Sequence, residues 1–143
     1  MNSRLVVAAA VVAMVSCDSL LGDVVKSKYD TLQAAKADEL FARGWLPDAL
    51  PPSTHDISVS NDLDLNTSVG EFSFSPTEFE LLRTKLRPYD EPNHPFTDSF
   101  DAEIGRHVQA GYPVYQYIED RSTWIFLCKP AVGICEYTMW LRH

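Results

Sequence analysis

Glycine is scarce, with six in 143 residues, and no glycine-rich loop occurs that could cradle a phosphate with backbone N–H groups. Nucleotide-dependent chemistry therefore has no footing in this chain. Positive charge is short as well: 12 Lys and Arg against 20 Asp and Glu give a net charge of -8. Nucleic acid is excluded as a partner, because binding it rests on neutralising phosphates with a basic face. A nucleophile elbow and a His-Glu-x-x-His zinc signature are both absent, so no catalytic residue is assigned. Cysteine is limited to Cys17, Cys128 and Cys135, with no Cys-x-x-Cys pair to bind zinc or run redox exchange. Nothing repeats, and no segment is low in complexity. The longest apolar run, Leu5 to Val15, would span about 16 Å as a helix against roughly 30 Å of hydrocarbon, too short for a permanent membrane crossing.

The remaining composition, 45% apolar and 22% charged, is that of a folded domain with one core. Residues 1–16 read as an export signal: Arg4 supplies a positive start, the apolar run follows, and small Ser16 precedes a cut. Loss of Arg4 takes the net charge from -8 to -9. Met14-Val15-Ser16-Cys17 resembles the lipobox of bacterial lipoproteins, with Met14 where that family usually has Leu. The resemblance implies cleavage before Cys17, a diacylglycerol thioether on its sulfur and an acylated amine. Two or three acyl chains, at about 0.8 kcal/mol per buried methylene, anchor a protein stably where one would be marginal. The implied location is the bacterial cell envelope, facing the periplasm or exterior, with Asp18 favouring the inner membrane if the organism is a diderm. No cofactor is expected beyond the acyl lipid, and membrane lipid is the partner reached through Cys17.

With Cys17 lipidated, Cys128 and Cys135 are left as a pair in an oxidising compartment. Strand-like runs at 124–128 and 135–141 flank a turn containing Pro130 and Gly133. A four-residue loop at 130–133 sets Cys128 opposite Cys135, Phe126 opposite Tyr137 and Trp124 opposite Met139 on one face. The spacing predicts a disulfide, with Cα atoms roughly 4.4 to 6.8 Å apart.

Residues 17–27 read as the lipidated Cys and a tether, and 28–143 as a single domain. Within it, Lys28 to Arg43 reads as a helix ended by Gly44. A proline-rich connector follows, with Trp45, Leu46 and Leu50 plugging the core edge. Residues 57–60 and 69–74 read as a hairpin, and Ser75-Pro76-Thr77-Glu78 as a capping box opening a helix to about Leu86. A loop at 88–99, a short helix at 100–110 and a strand at 114–118 complete the pattern. The expected fold is α+β, an antiparallel sheet of about five strands with two or three helices.

Weaker constellations remain. Asp62, Asp64 and Asn66 have the spacing of the first half of a calcium loop, but Thr67 replaces the turning Gly; a turn whose Asp and Asn bond their own backbone is the plainer reading. Glu103 and His107, four apart on a helix, could ligate a metal with a third group. The acids Asp90, Glu91, Asp98, Asp101 and Glu103 could steer a basic partner. Gly44 to Ile57 together with Asn61 to Asn66 resembles a segment of small uncharacterised bacterial lipoproteins, which implies the envelope and leaves the mechanism open. Three functions follow: a non-enzymatic envelope lipoprotein acting as a binding or structural module, an inhibitor or immunity-type binder of a basic toxin or hydrolase, and an envelope hydrolase using Glu103 and His107.

Overall fold

The structure, a computed structural model, describes residues 23–90 and 93–142. Among these, seven strands make one sheet: β1 Val24–Thr31, β2 His55–Asp62, β3 Thr67–Ser73, β4 Arg87–Pro88, β5 Val114–Glu119, β6 Ser122–Lys129 and β7 Ile134–Leu141. Their order is β1-β2-β3-β7-β6-β5-β4, and every neighbouring pair is antiparallel. The helices are short: α1 Leu32–Ala37, α2 Phe79–Arg83 and α3 Asp98–Gln109. The expected five-stranded α+β domain is therefore overturned, because the chain has seven strands and its regular structure is mostly strand.

The largest discrepancy is β1. Residues read as tether and helix start pair along β2, Tyr29 against Ile57 and Val25 against Asn61. β1 lies at the sheet edge and only Ser27 and Tyr29 are partly buried, so the alternation that marks a strand is nearly absent. Tyr29, Leu32 and Ala35 meanwhile imitate helical spacing, and the helix itself begins only where Thr31 caps it by accepting the Ala34 N–H at 3.1 Å. The expected capping box at Ser75 also fails to form. A 3-10 turn at Pro76–Glu78 precedes α2, and the Glu78 carboxylate accepts the Ser53 N–H at 2.9 Å. Hydrogen bonds from the Ser53 side chain and backbone hold Glu78 below its ordinary value, so the residue pins the Pro-rich connector and not its own helix.

The second hairpin has the expected register: Cys128 with Cys135, Phe126 with Tyr137, Trp124 with Met139. The strand register also reveals a symmetry invisible in the sequence. The hairpin β2-β3 and the hairpin β6-β7 are related by a pseudo-two-fold axis through the β3–β7 ladder, at the pair Gly70 and Tyr137. One constant shift carries Asn61 to Cys128, Ser68 to Cys135 and Asn66 to Gly133. Asn61 and Ser68 face each other across β2 and β3 with a side-chain hydrogen bond of 2.6 Å, where the second meander has its paired cysteines. Asn66 and Gly133 both have positive φ, 53° and 72°. Their carbonyls close the two ends of the ladder equivalently, Gly133 accepting the Phe74 N–H at 2.8 Å and Asn66 the Leu141 N–H at 3.3 Å.

Side chains alternate across the sheet, so one face of this row carries Val59, Tyr137, Phe126 and Tyr115, and the residues flanking them face the other way. On the first face α1, residues 40–50 and α2 cover the sheet with Ala35, Leu46, Leu50 and Leu82, burying Phe72, Trp124 and Phe126 beneath them. On the opposite face α3 sets Phe100 and Ile104 against Val114, Ile125, Leu127 and Trp140. That helix covers only the second meander. The first meander has Ser58 and Ser60 where the second has Ile125 and Leu127, as expected of a surface left to water.

Gly70 is required at the axis. An added Cβ would stand 2.3 Å from the Ser58 carbonyl oxygen and 2.6 Å from Tyr137 Cε1, so the buried Tyr137 ring occupies the space that a side chain would need. Burial drives the Tyr137 hydroxyl well above its ordinary pKa, with Ser68 pulling slightly back. Gly105, by contrast, sits in α3 with nothing near its missing Cβ. Gly70→Ala should cost about 3 kcal/mol through overpacking, and Gly105→Ala should gain up to about 1 kcal/mol in helix propensity. Urea unfolding of both variants checks this; comparable effects of the two substitutions would contradict the close approach at the axis.

Candidate functional site

Cys17, Asp18 and the signal at 1–16 lie outside the described residues, as does Glu91. Cys128 and Cys135 form a disulfide with Cα atoms 4.1 Å apart. That is closer than the expected range, in keeping with residues directly opposite each other on adjacent antiparallel strands. Both are fully buried, on the face that holds Trp124, Phe126, Tyr137 and Met139. The bridge is thus a staple inside the core and is shielded from exchange partners.

The other sequence candidates are dispersed. Asp62 Oδ1 accepts the backbone N–H groups of Asp64 at 3.1 Å and Leu65 at 2.9 Å, and Asn66 supplies the left-handed turn residue. These side chains build the loop that links β2 to β3. Glu103 faces a shallow depression with Glu71 and Glu136, whereas the His107 ring lies against Tyr112, 5.2 Å between centroids. His107 Nε2 is buried without a partner. Among the described residues no group of three His, Cys, Asp or Glu side chains could hold a metal ion. Of the acidic stretch, Asp101 bonds His94 at 3.0 Å, and His94 rests on Phe96 and Phe100. Asp101 therefore helps fasten the 93–97 segment to α3.

A different convergence was not anticipated. The long connection between β1 and β2 crosses the core face and brings Gly44 and Asp48 beside the β5–β6 turn. There Lys36, Phe41, Gly44, Asp48, Glu119, Asp120, Ser122 and Trp124 line an open hollow of about 390 Å³. Tyr117 stands alongside: burial chiefly, then the charges of Glu119, Asp48 and Asp120, push its hydroxyl above the ordinary value. The Lys36 ammonium lies 5.6 Å from the centre of the Phe41 ring. No sequence pattern flags this site, since Asp48 sits among prolines and Glu119-Asp120 reads as a plain turn. The one local signal is Asp120 itself, which adopts a φ of 51°.

Residues 23–73 match the family model of the YbbD head domain. The match runs from the start of β1 to the end of β3, so the stretch similar to that domain is the first meander with its covering connection. No curated protein and no solved structure matches the chain at a significant level. No helix among the described residues is long and apolar enough to cross a membrane.

In the chain-entropy account so small a ring contributes about 2.5 kcal/mol, comparable to burying one large apolar side chain. The double variant Cys128→Ser/Cys135→Ser should therefore remain folded and lose about 2 to 3 kcal/mol. Denaturant unfolding beside the parent protein measures it, and a variant unable to fold would contradict the disulfide's role as a local staple.

Proposed function

We propose that this chain is a lipid-anchored envelope protein that presents a non-enzymatic β-rich domain at a membrane surface, as a binding or structural module. The observation that carries the reading is Met14-Val15-Ser16-Cys17, whose Met14 and Val15 end an 11-residue apolar run that follows a positive start. Further support comes from the position of the first strand. β1 begins at Val24, only a few residues past Cys17, so acyl chains on that cysteine would hold the domain close to the bilayer. The similarity of residues 23–73 to a head domain supports a modular role for that meander. Under this reading Asp18 slightly favours the inner membrane if the organism is a diderm. Glu103 and His107, the residues of the hydrolase alternative, point to different neighbours, which favours the non-enzymatic reading.

Metabolic labelling with an acyl-chain analogue tests the anchor. The parent chain should take up label and sediment with membranes, and Cys17→Ala should do neither. A Cys17→Ala chain that still carried label and stayed in the membrane fraction would overturn the reading.

A further inference from the structure

We infer that the domain rests on the bilayer through the end of the sheet that holds the β2–β3 loop, with Leu63 and Leu65 entering the lipid headgroup region. This contact presupposes the anchor at Cys17 proposed above and adds which surface meets the membrane. Leu65 is 70% exposed and Leu63 44%, and Val24 and Val25 on β1 are exposed as well. Val24 stands opposite Asp62 and Val25 opposite Asn61, so all four apolar residues belong to one end of the sheet. The remaining large apolar residues left exposed are spread out: Val69 on β3, Leu81 on α2, Val108 on α3 and Val132 in the β6–β7 turn. Single exposed apolar residues are ordinary, whereas a cluster of them marks a contact surface.

The loop presents its leucines in a fixed shape. Asp62 Oδ1 accepts the Asp64 and Leu65 N–H groups, and Asn66 turns the chain at a φ of 53° while its carbonyl accepts the Leu141 N–H. The Leu63 N–H donates to the Asp23 carbonyl oxygen at 3.1 Å, which ties the loop to the point where the chain enters the domain. That tie decides the occupant. Only residues 17–22 separate Cys17 from Asp23, and six residues reach at most about 20 Å. Two of the six are Leu20 and Leu21. Acyl chains on Cys17 would therefore hold this loop near the headgroups, whereas the β6–β7 turn with Val132 lies at the opposite end of the β3–β7 ladder. So short a tether makes the second contact intramolecular, and two leucines then suffice where they would not retain a free protein. Charge attraction is not the driving force, because Asp23, Asp62 and Asp64 stand against only Lys26 and Lys28 at this end. The contact is apolar, and an electrically neutral bilayer suits it.

The test places the chain, one copy per phosphatidylcholine nanodisc, with Cys17 fixed to the lipid. Protein isolated with acyl chains is used as it is; otherwise the Cys17 thiol of the full chain, the one cysteine outside the disulfide, is coupled to a maleimide lipid. Docking is then read whether or not cells acylate Cys17, and failure of the anchor itself shows separately in the acyl labelling. A spin label is added on the lipid headgroups, and the methyl signals of Leu, Val and Met are followed by NMR. Leu63, Leu65 and Val24 should lose most of their intensity, while Leu81, Val108 and Val132 keep theirs. Leu63→Ser/Leu65→Ser should restore the Val24 signal, with the buried Met139 methyl unchanged as the sign of an intact fold. Uniform loss over all these methyls, greater loss at Val108 or Val132, or an unrestored Val24 signal in the double variant would overturn the inference. So would a pattern that appears only with two copies per disc, which would assign the leucines to a second copy of the chain.

Discussion

The ladder between β3 and β7 joins two meanders that contact each other along no other strand edge among the described residues. Its geometry is demanding. The Tyr137 ring is buried across from Gly70 because that position has no side chain, and each end of the ladder is closed by a turn carbonyl from the opposite hairpin. Those carbonyls come from Asn66 and Gly133, residues held at positive φ, so the turn chemistry of both hairpins is built into the central pairing. A change in either turn would thus be felt at the far end of the neighbouring strand.

From that pairing follows the unequal use of the sheet's faces. The core face is continuous across both meanders, since Phe72, Phe126, Trp124 and Met139 share one cluster under α1, α2 and the connector. The reverse face is covered by α3 only over the second meander. The connection that closes the core from above also carries Gly44 and Asp48 to the β5–β6 turn. The acidic hollow is thus a by-product of how the first meander's long crossing meets the second meander's short turn.

Much of this was legible in the residues, and the rest was hidden for definite reasons. Alternating apolar residues placed the β2–β3 and β6–β7 hairpins, and the cysteine spacing fixed the register of the second one. The short helix read at 100–110 corresponds to α3, and Gly111 just beyond its end has positive φ. β1 escaped because a mostly exposed edge strand shows little alternation, and because Tyr29, Leu32 and Ala35 mimic a helix. β4 is two residues long and is defined by its partner alone. Glu78 looked like a cap and is instead claimed by Ser53, a tertiary contact that outbids a local one. The internal symmetry could not be read because a hydrogen bond at one position and a disulfide at its equivalent perform the same cross-strand role with unrelated residues. The hollow was hidden because Asp48 and Ser122 are far apart in the chain and meet only through the fold.

Native-state hydrogen exchange tests most directly whether the β3–β7 ladder holds the two meanders as one cooperative body. If it does, amides of β3, β6 and β7 should exchange only through global unfolding, with one shared free energy, and β1 and β4 at the edges should open more readily. Exchange of β5, β6 and β7 as a unit, at a lower free energy and with β2 and β3 still protected, would contradict that account.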